Sequence, residues 1–208
     1  MIETITTNLE MFAAIMNNGG LAMWVLFFLN LMLWFGLGYR RLTMKRGTMG
    51  NVRRLVNSHI KKGGKRERKG IIDYAIVDAL QAASEARTNG IKPRKHIQDA
   101  LWPYFMTIKK YSVLVKTIVV LAPLIGLLGT VVGMIETFDA LQASAMFAQG
   151  DSISGGISKA LFTTELGLIV AVPGMIMGRA LDKQQRQLAV EFEQIKDIIS
   201  TKESIDEA

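Results

Sequence analysis

Three apolar stretches, each long enough to cross a bilayer, set the limits on how this chain folds. The first, Gly20 to Gly38 (GLAMWVLFFLNLMLWFGLG), contains no charged residue. A helix rising ~1.5 Å per residue needs about 20 residues to cross roughly 30 Å of hydrocarbon. The other two lie in residues 121–139 (LAPLIGLLGTVVGMIETFD) and 155–179 (GGISKALFTTELGLIVAVPGMIMGR). Half of the chain is hydrophobic, yet its formal charge is +7. That mixture predicts apolar spans joined by basic loops rather than one soluble core.

The basic residues give an expected orientation. Residues 1–39 hold Glu3 and Glu10 but no Lys or Arg, whereas a dense basic run extends from Arg40 to Lys110. Asp139 and Asp151 lie between the second and third spans, and Arg179, Lys183 and Arg186 follow the third. The predicted fold is an all-α integral membrane protein with three transmembrane helices and long cytoplasmic helical extensions, N-terminus outside and C-terminus inside. Arg40 and Arg41 follow the first apolar block, the order of a reverse signal-anchor and not of a cleaved signal peptide.

The expected segments are an outer amphipathic stretch at 1–19, spans at 20–39, 113–138 and 157–178, a cytoplasmic helical loop at 40–112, an outer hairpin at 139–156 and a cytoplasmic helix at 179–208. Ile2, Ile5, Leu9 and Phe12 recur at helical spacing, suited to the membrane surface. KKGGKRERKG (61–70) reads as a solvated, Gly-broken inside loop that fixes topology, with binding to anionic lipid as the functional alternative; with no interleaved aromatics it does not read as a nucleic-acid binder. Residues 71–90 read as a helix stopped by Asn89–Gly90, and Pro93 opens another that leads past Pro103 into the second span. Leu181, Leu188, Phe192, Ile195 and Ile199 form a stripe on a helix continuing beyond the third span.

With no cysteine, disulfides and thiolate metal sites are excluded. His59 and His96 stand apart, so no metal or other cofactor is expected. No phosphate loop, nucleophile motif or catalytic cluster is present, and an enzyme is not expected.

In the second span, Gly126, Gly129, Gly133 and Glu136 fall at spacings of three, four and three, on one face, while Thr130 lies on a second. In the third, Gly167, Ala171, Gly174 and Gly178 make another small-residue stripe, with Thr163 one turn before it, Thr164 about 100° round the helix and Glu165 turned toward Leu161 and Val172. Small residues let helices approach backbone to backbone. An acid or hydroxyl at membrane depth reads as function, since it is costly unless it faces protein or water. Lys159 is the nearest basic residue in sequence to Glu165.

These two segments resemble the MotA/TolQ/ExbB proton channel family, most closely its ExbB/TolQ branch. The likeness rests on LAPLIGLLGTVVGMIETF and GISKALFTTELGLIVAVP. It implies a homopentamer around a dimeric ExbD/TolR-like single-span partner whose membrane Asp carries protons, with a TonB-like protein as a further partner. It also places the family's pore threonines on Thr130 and Thr164. One departure stands out: the ExbB/TolQ pattern has glutamate at Lys159 and a small or apolar residue at Glu165. The expected ion path therefore comprises Thr130, Thr164, Glu165 and Lys159, with Glu136 at a polar interface. Two other readings fit the same residues: a non-conducting membrane scaffold, and a MotA-like stator subunit using sodium.

Overall fold

The computed structural model describes residues 20–47, 50–61, 70–90, 92–143 and 150–206, with Ala13 and Met16 as single positions before them. Among the described residues every regular element is a helix: α1 Gly20–Thr43, α2 Val52–Lys61, α3 Ile71–Thr88, α4 Pro93–Lys109, α5 Ser112–Ala143 and α6 Gly150–Asp206. Three helical stretches are long and apolar enough to cross a membrane, and their apolar cores are α1, the greater part of α5 and the first half of α6. Most of the segment at 1–19, the basic loop at 62–69 and the hairpin tip at 144–149 lie outside the described residues. The chain divides into two compact units, Met1–Leu37 with Leu114–Gly178, and Gly38–Val113 with Arg179–Ala208.

In the first unit α5 and α6 form an antiparallel hairpin. Gly126 lies against Thr163 and Gly167, Gly133 against Ala160 and Gly156, and Gly167 against Ala122. A Cβ added at Gly126 would come 2.9 Å from the Thr163 carbonyl oxygen, and one at Gly167 2.8 Å from that of Ala122. At Gly129 it would collide with the Thr163 side chain. The glycines are thus spent on closing the hairpin within one chain, because only there do two backbones meet without intervening side chains. Any ring of subunits has to use other faces, and α5 and α6 offer them: Leu124, Leu128, Val131, Ile135, Leu161, Ile169, Val172 and Ile176 are all exposed.

α1 joins this hairpin through a stripe of buried residues, Met23, Leu26, Leu33 and Leu37. Leu33 packs on Gly174, where an added Cβ would come 2.7 Å from the leucine and 2.9 Å from Val119. Pro123 and Pro173 sit inside continuous helices.

The second unit holds α2, α3, α4 and the ends of the long helices. α3 buries Ile72, Ala75, Ile76, Ala79 and Ala83 and ends at Asn89, with Gly90 in the left-handed region at φ 64. The late stripe on α6 is its core: Leu181, Leu188, Phe192, Ile195 and Ile199 are buried. Phe192 meets the rings of Tyr104 and Phe105 with centroids 6.0 and 5.3 Å away. Arg40 is buried and donates to Asp182 and Gln185, each at 2.8 Å. Arg46 pairs with Glu191 at 2.7 Å, and the hydrogen bonds to that carboxylate hold its guanidinium above the ordinary arginine value.

The helix expected to run from Pro93 into the second span is instead broken at Lys110–Tyr111. Lys110 leaves the helical region at ψ 136 and Tyr111 has φ 60. A left-handed non-glycine residue costs about 1–2 kcal/mol. Contacts offset it: the rings of Tyr39 and Tyr111 meet edge to face at 5.0 Å, and Lys110 Nζ lies 5.2 and 5.4 Å from their respective centroids.

His59 is fully buried, with Nδ1 3.0 Å from the Leu55 carbonyl and Nε2 3.9 Å from Asp73, whereas His96 is half exposed and 3.6 Å from Glu85. His59 is thus a buried residue of α2 in local hydrogen-bond contact with its own helix.

Gly129→Leu should destabilise the isolated subunit by about 1–3 kcal/mol, the usual range for overpacking, because the side chain has to displace Thr163. Gly38→Ala, with open space around its Cβ, is the matched control and should be neutral or stabilising. Thermal unfolding in detergent reads both. Arg40→Met should cost about 3 kcal/mol or more by leaving Asp182 without its buried cation, seen in the same measurement.

Candidate functional site

Thr130, Glu136, Lys159, Thr163, Thr164 and Glu165 all fall in the first unit, where the α5–α6 seam sorts them. With Gly126 and Gly133 marking the seam on α5, Thr130 lies about 40–60° to one side and Glu136 about 60–80° to the other, at roughly 100° per residue. On α6, Gly156, Thr163 and Gly167 face α5. Thr164 lies to one side of that line and Lys159 to the other. Because the helices are antiparallel, these rotations put Thr130 and Thr164 on one flank and Glu136 and Lys159 on the opposite flank. The second pairing is seen directly: Lys159 Nζ donates to a Glu136 carboxylate oxygen at 2.6 Å.

Thr130 and Thr164 are both half-buried. Thr164 stands against Gly126, and Thr130 is four residues further along α5, about one turn or 6 Å away in level. The Thr130 hydroxyl donates to the Leu127 carbonyl at 2.7 Å. That of Thr164 has only long contacts, 3.4 Å to the Ala160 carbonyl and 3.5 Å to that of Gly126. A hydroxyl so loosely held by its own helix can turn toward an ion or a partner at little cost.

Thr163, only one residue away, has a different part. It is buried in the seam, its hydroxyl 2.9 Å from the Ala160 carbonyl and 3.3 Å from that of Gly126. Sequence spacing puts Thr163 in line with the small-residue stripe and Thr164 about 100° round the helix. Only the partner helix decides that the first is packing and the second borders the open flank. Thr137, grouped in sequence with Thr130, is likewise buried against Gly156, donating to the Gly133 carbonyl at 2.8 Å.

Glu165 stands apart from both flanks. It is exposed, and among the described residues it has no hydrogen bond or ion pair within the chain. It lies on the side of α6 turned away from α5, among exposed Leu161, Leu168, Ile169 and Val172. Lys159 is not its partner, since the lysine is bound to Glu136. An unpaired carboxylate within an apolar stripe of a membrane-length helix needs water, an ion or a neighbouring protein surface.

The site is therefore a glycine-closed helical hairpin with a hydroxyl-bearing flank, a charged flank and an apolar outer face interrupted by one acid. That architecture, with three membrane-length helices, defines a multi-pass membrane protein with polar groups at bilayer depth. A family model described as the MotA/TolQ/ExbB proton channel family matches residues 55–194, more than half of the chain, and the protein belongs to that family. Comparison with curated protein sequences gave no match.

Glu165→Gln should change the stability of the isolated subunit by less than about 0.5 kcal/mol, because the side chain is exposed and no described residue of the chain pairs with its charge. A larger loss of thermal midpoint would reveal an intrachain partner.

Proposed function

We propose that this chain is an ExbB/TolQ-branch subunit of an ion channel of the inner membrane, with its N-terminus outside. In this reading five copies surround a dimer of an ExbD/TolR-like single-span partner, whose membrane Asp carries protons past the open flank of α5 and α6. The complex converts the proton motive force into movement of that partner and energises TonB-dependent transport or a related envelope process. One elementary charge crossing 100 mV supplies ~2.3 kcal/mol, so several protons suffice for a conformational cycle. The work is transport and not enzymatic conversion.

The observation that carries this reading, beyond family membership, is that Thr130 and Thr164 share one flank of the hairpin within about a turn of each other. They are the two positions that the family resemblance assigns to the pore. The exposed apolar faces of α5 and α6 supply the surface a ring of subunits needs. Glu165, uncovered within one chain, then meets either the neighbouring subunit or the ion path.

The test is proton flux into vesicles containing the subunit together with its single-span partner. Thr130→Val and Thr164→Val keep side-chain shape and remove the hydroxyl, and each should lower flux severalfold with the ring intact. Wild-type flux in either variant removes that residue from the path. A wild-type complex that assembles but passes neither protons nor sodium would favour a scaffold instead.

A further inference from the structure

Lys159 of α6 and Glu136 of α5 are an oppositely charged pair that the hairpin brings together from positions 23 residues apart in sequence. The Lys159 side chain is about four-fifths covered (21% exposed), an unusual burial for an ammonium unless something holds it. Two elements hold it. Glu136 of α5 takes its proton-bearing end at 2.6 Å, and the start of α1 lies along its stem and head: a Cβ built on Gly20 would come 3.2 Å from Nζ and 3.3 Å from Cε. One lysine on α6 thus touches both other membrane helices at the end where α5 and α6 connect.

The position of the pair matters as much as its contacts. It lies on the flank of the seam opposite Thr130 and Thr164, so a cation moving past the threonines does not pass the ammonium. Gly20 has φ 61, a backbone state in which a side chain is strained, and its bare Cα lets the start of α1 come close to the lysine. The N-terminal end of a helix repels a cation, so Lys159 beside the first residue of α1 is tolerable only with an anion at hand. Glu136 supplies it.

We infer that Lys159 and Glu136 form a charge clamp that fixes α1 to the α5–α6 hairpin, and that they are positioning residues outside the ion path. The clamp stands on the packing alone. Its exclusion from the path rests on the channel function proposed above. Glu136 is half exposed, so the pair is partly screened by solvent and its contribution is modest rather than that of a fully buried pair.

The experiment is a charge-reversal cycle in the complete complex: Lys159→Glu, Glu136→Lys and the double variant, each read by thermal midpoint in detergent and by ion flux in vesicles. Each single variant sets two like charges against each other and should lower the midpoint by about 2–4 °C, with a loss of flux. The double variant should recover both. Lys159→Gln, milder than reversal, should leave the proton-to-sodium preference of the residual flux unchanged. Single variants with wild-type midpoints, or a double variant no better than the singles, would overturn the clamp. A changed ion preference in Lys159→Gln, or flux raised by Lys159→Glu alone, would put the lysine back on the path. If the wild-type complex passes no ions, the channel function fails, and the midpoints of the cycle still decide the clamp.

Discussion

The close approach of α5 and α6 is the interaction on which the rest of the first unit depends. At Gly126, Gly133 and Gly167 the backbones meet so nearly that a methyl group would press on a carbonyl oxygen or a neighbouring backbone. In a bilayer the lipid tails are as apolar as any side chain, so two helices gain little by burying leucine against each other; close packing of small residues is what favours association. That packing sets the rotation of each helix about its own axis. Every other polar residue of the spans then takes its place relative to the seam.

The consequence is a separation of roles that side-chain type alone does not announce. Thr163 and Thr137 face inward and bond backbone carbonyls, while Thr164 and Thr130 border the open flank. Lys159 and Glu136 neutralise each other on the α1 side. Glu165 is left on the outer face, with no group among the described residues of its own chain to balance it. The hairpin is therefore closed within one subunit, while Leu128, Ile135, Ile169 and Val172 stay exposed on its outer face.

Much of the fold was legible in the sequence because hydropathy and helical period are local signals. The three spans, the α3 face of Ile72, Ile76 and Ala79, and the late stripe from Leu181 to Ile199 were all visible as spacing. The break at Tyr111 was not, since it depends on Tyr39, a residue distant in sequence. The burial of His59 also depends on packing against another helix. In the candidate site the small-residue stripes were legible, but a stripe carries no address: nothing in the spacing says that its partner is the adjacent helix of the same chain. For the same reason the sequence sets Lys159 nearest to Glu165, six residues away, while its counter-charge is Glu136 on the other helix. Lone charges announce their cost in sequence, and their partners only in three dimensions.

The central claim is that one flank of the hairpin meets water and the outer face does not. The absence of cysteine from the chain makes it directly measurable. Single cysteines placed at Thr130, Thr164, Leu128 and Val172 would be challenged, in membranes containing the complete complex, with a small charged thiol reagent that reaches only water-exposed thiols. The account predicts labelling at Thr130→Cys and Thr164→Cys and protection at Leu128→Cys and Val172→Cys. Protection of both threonine positions with labelling of Leu128→Cys or Val172→Cys would contradict it.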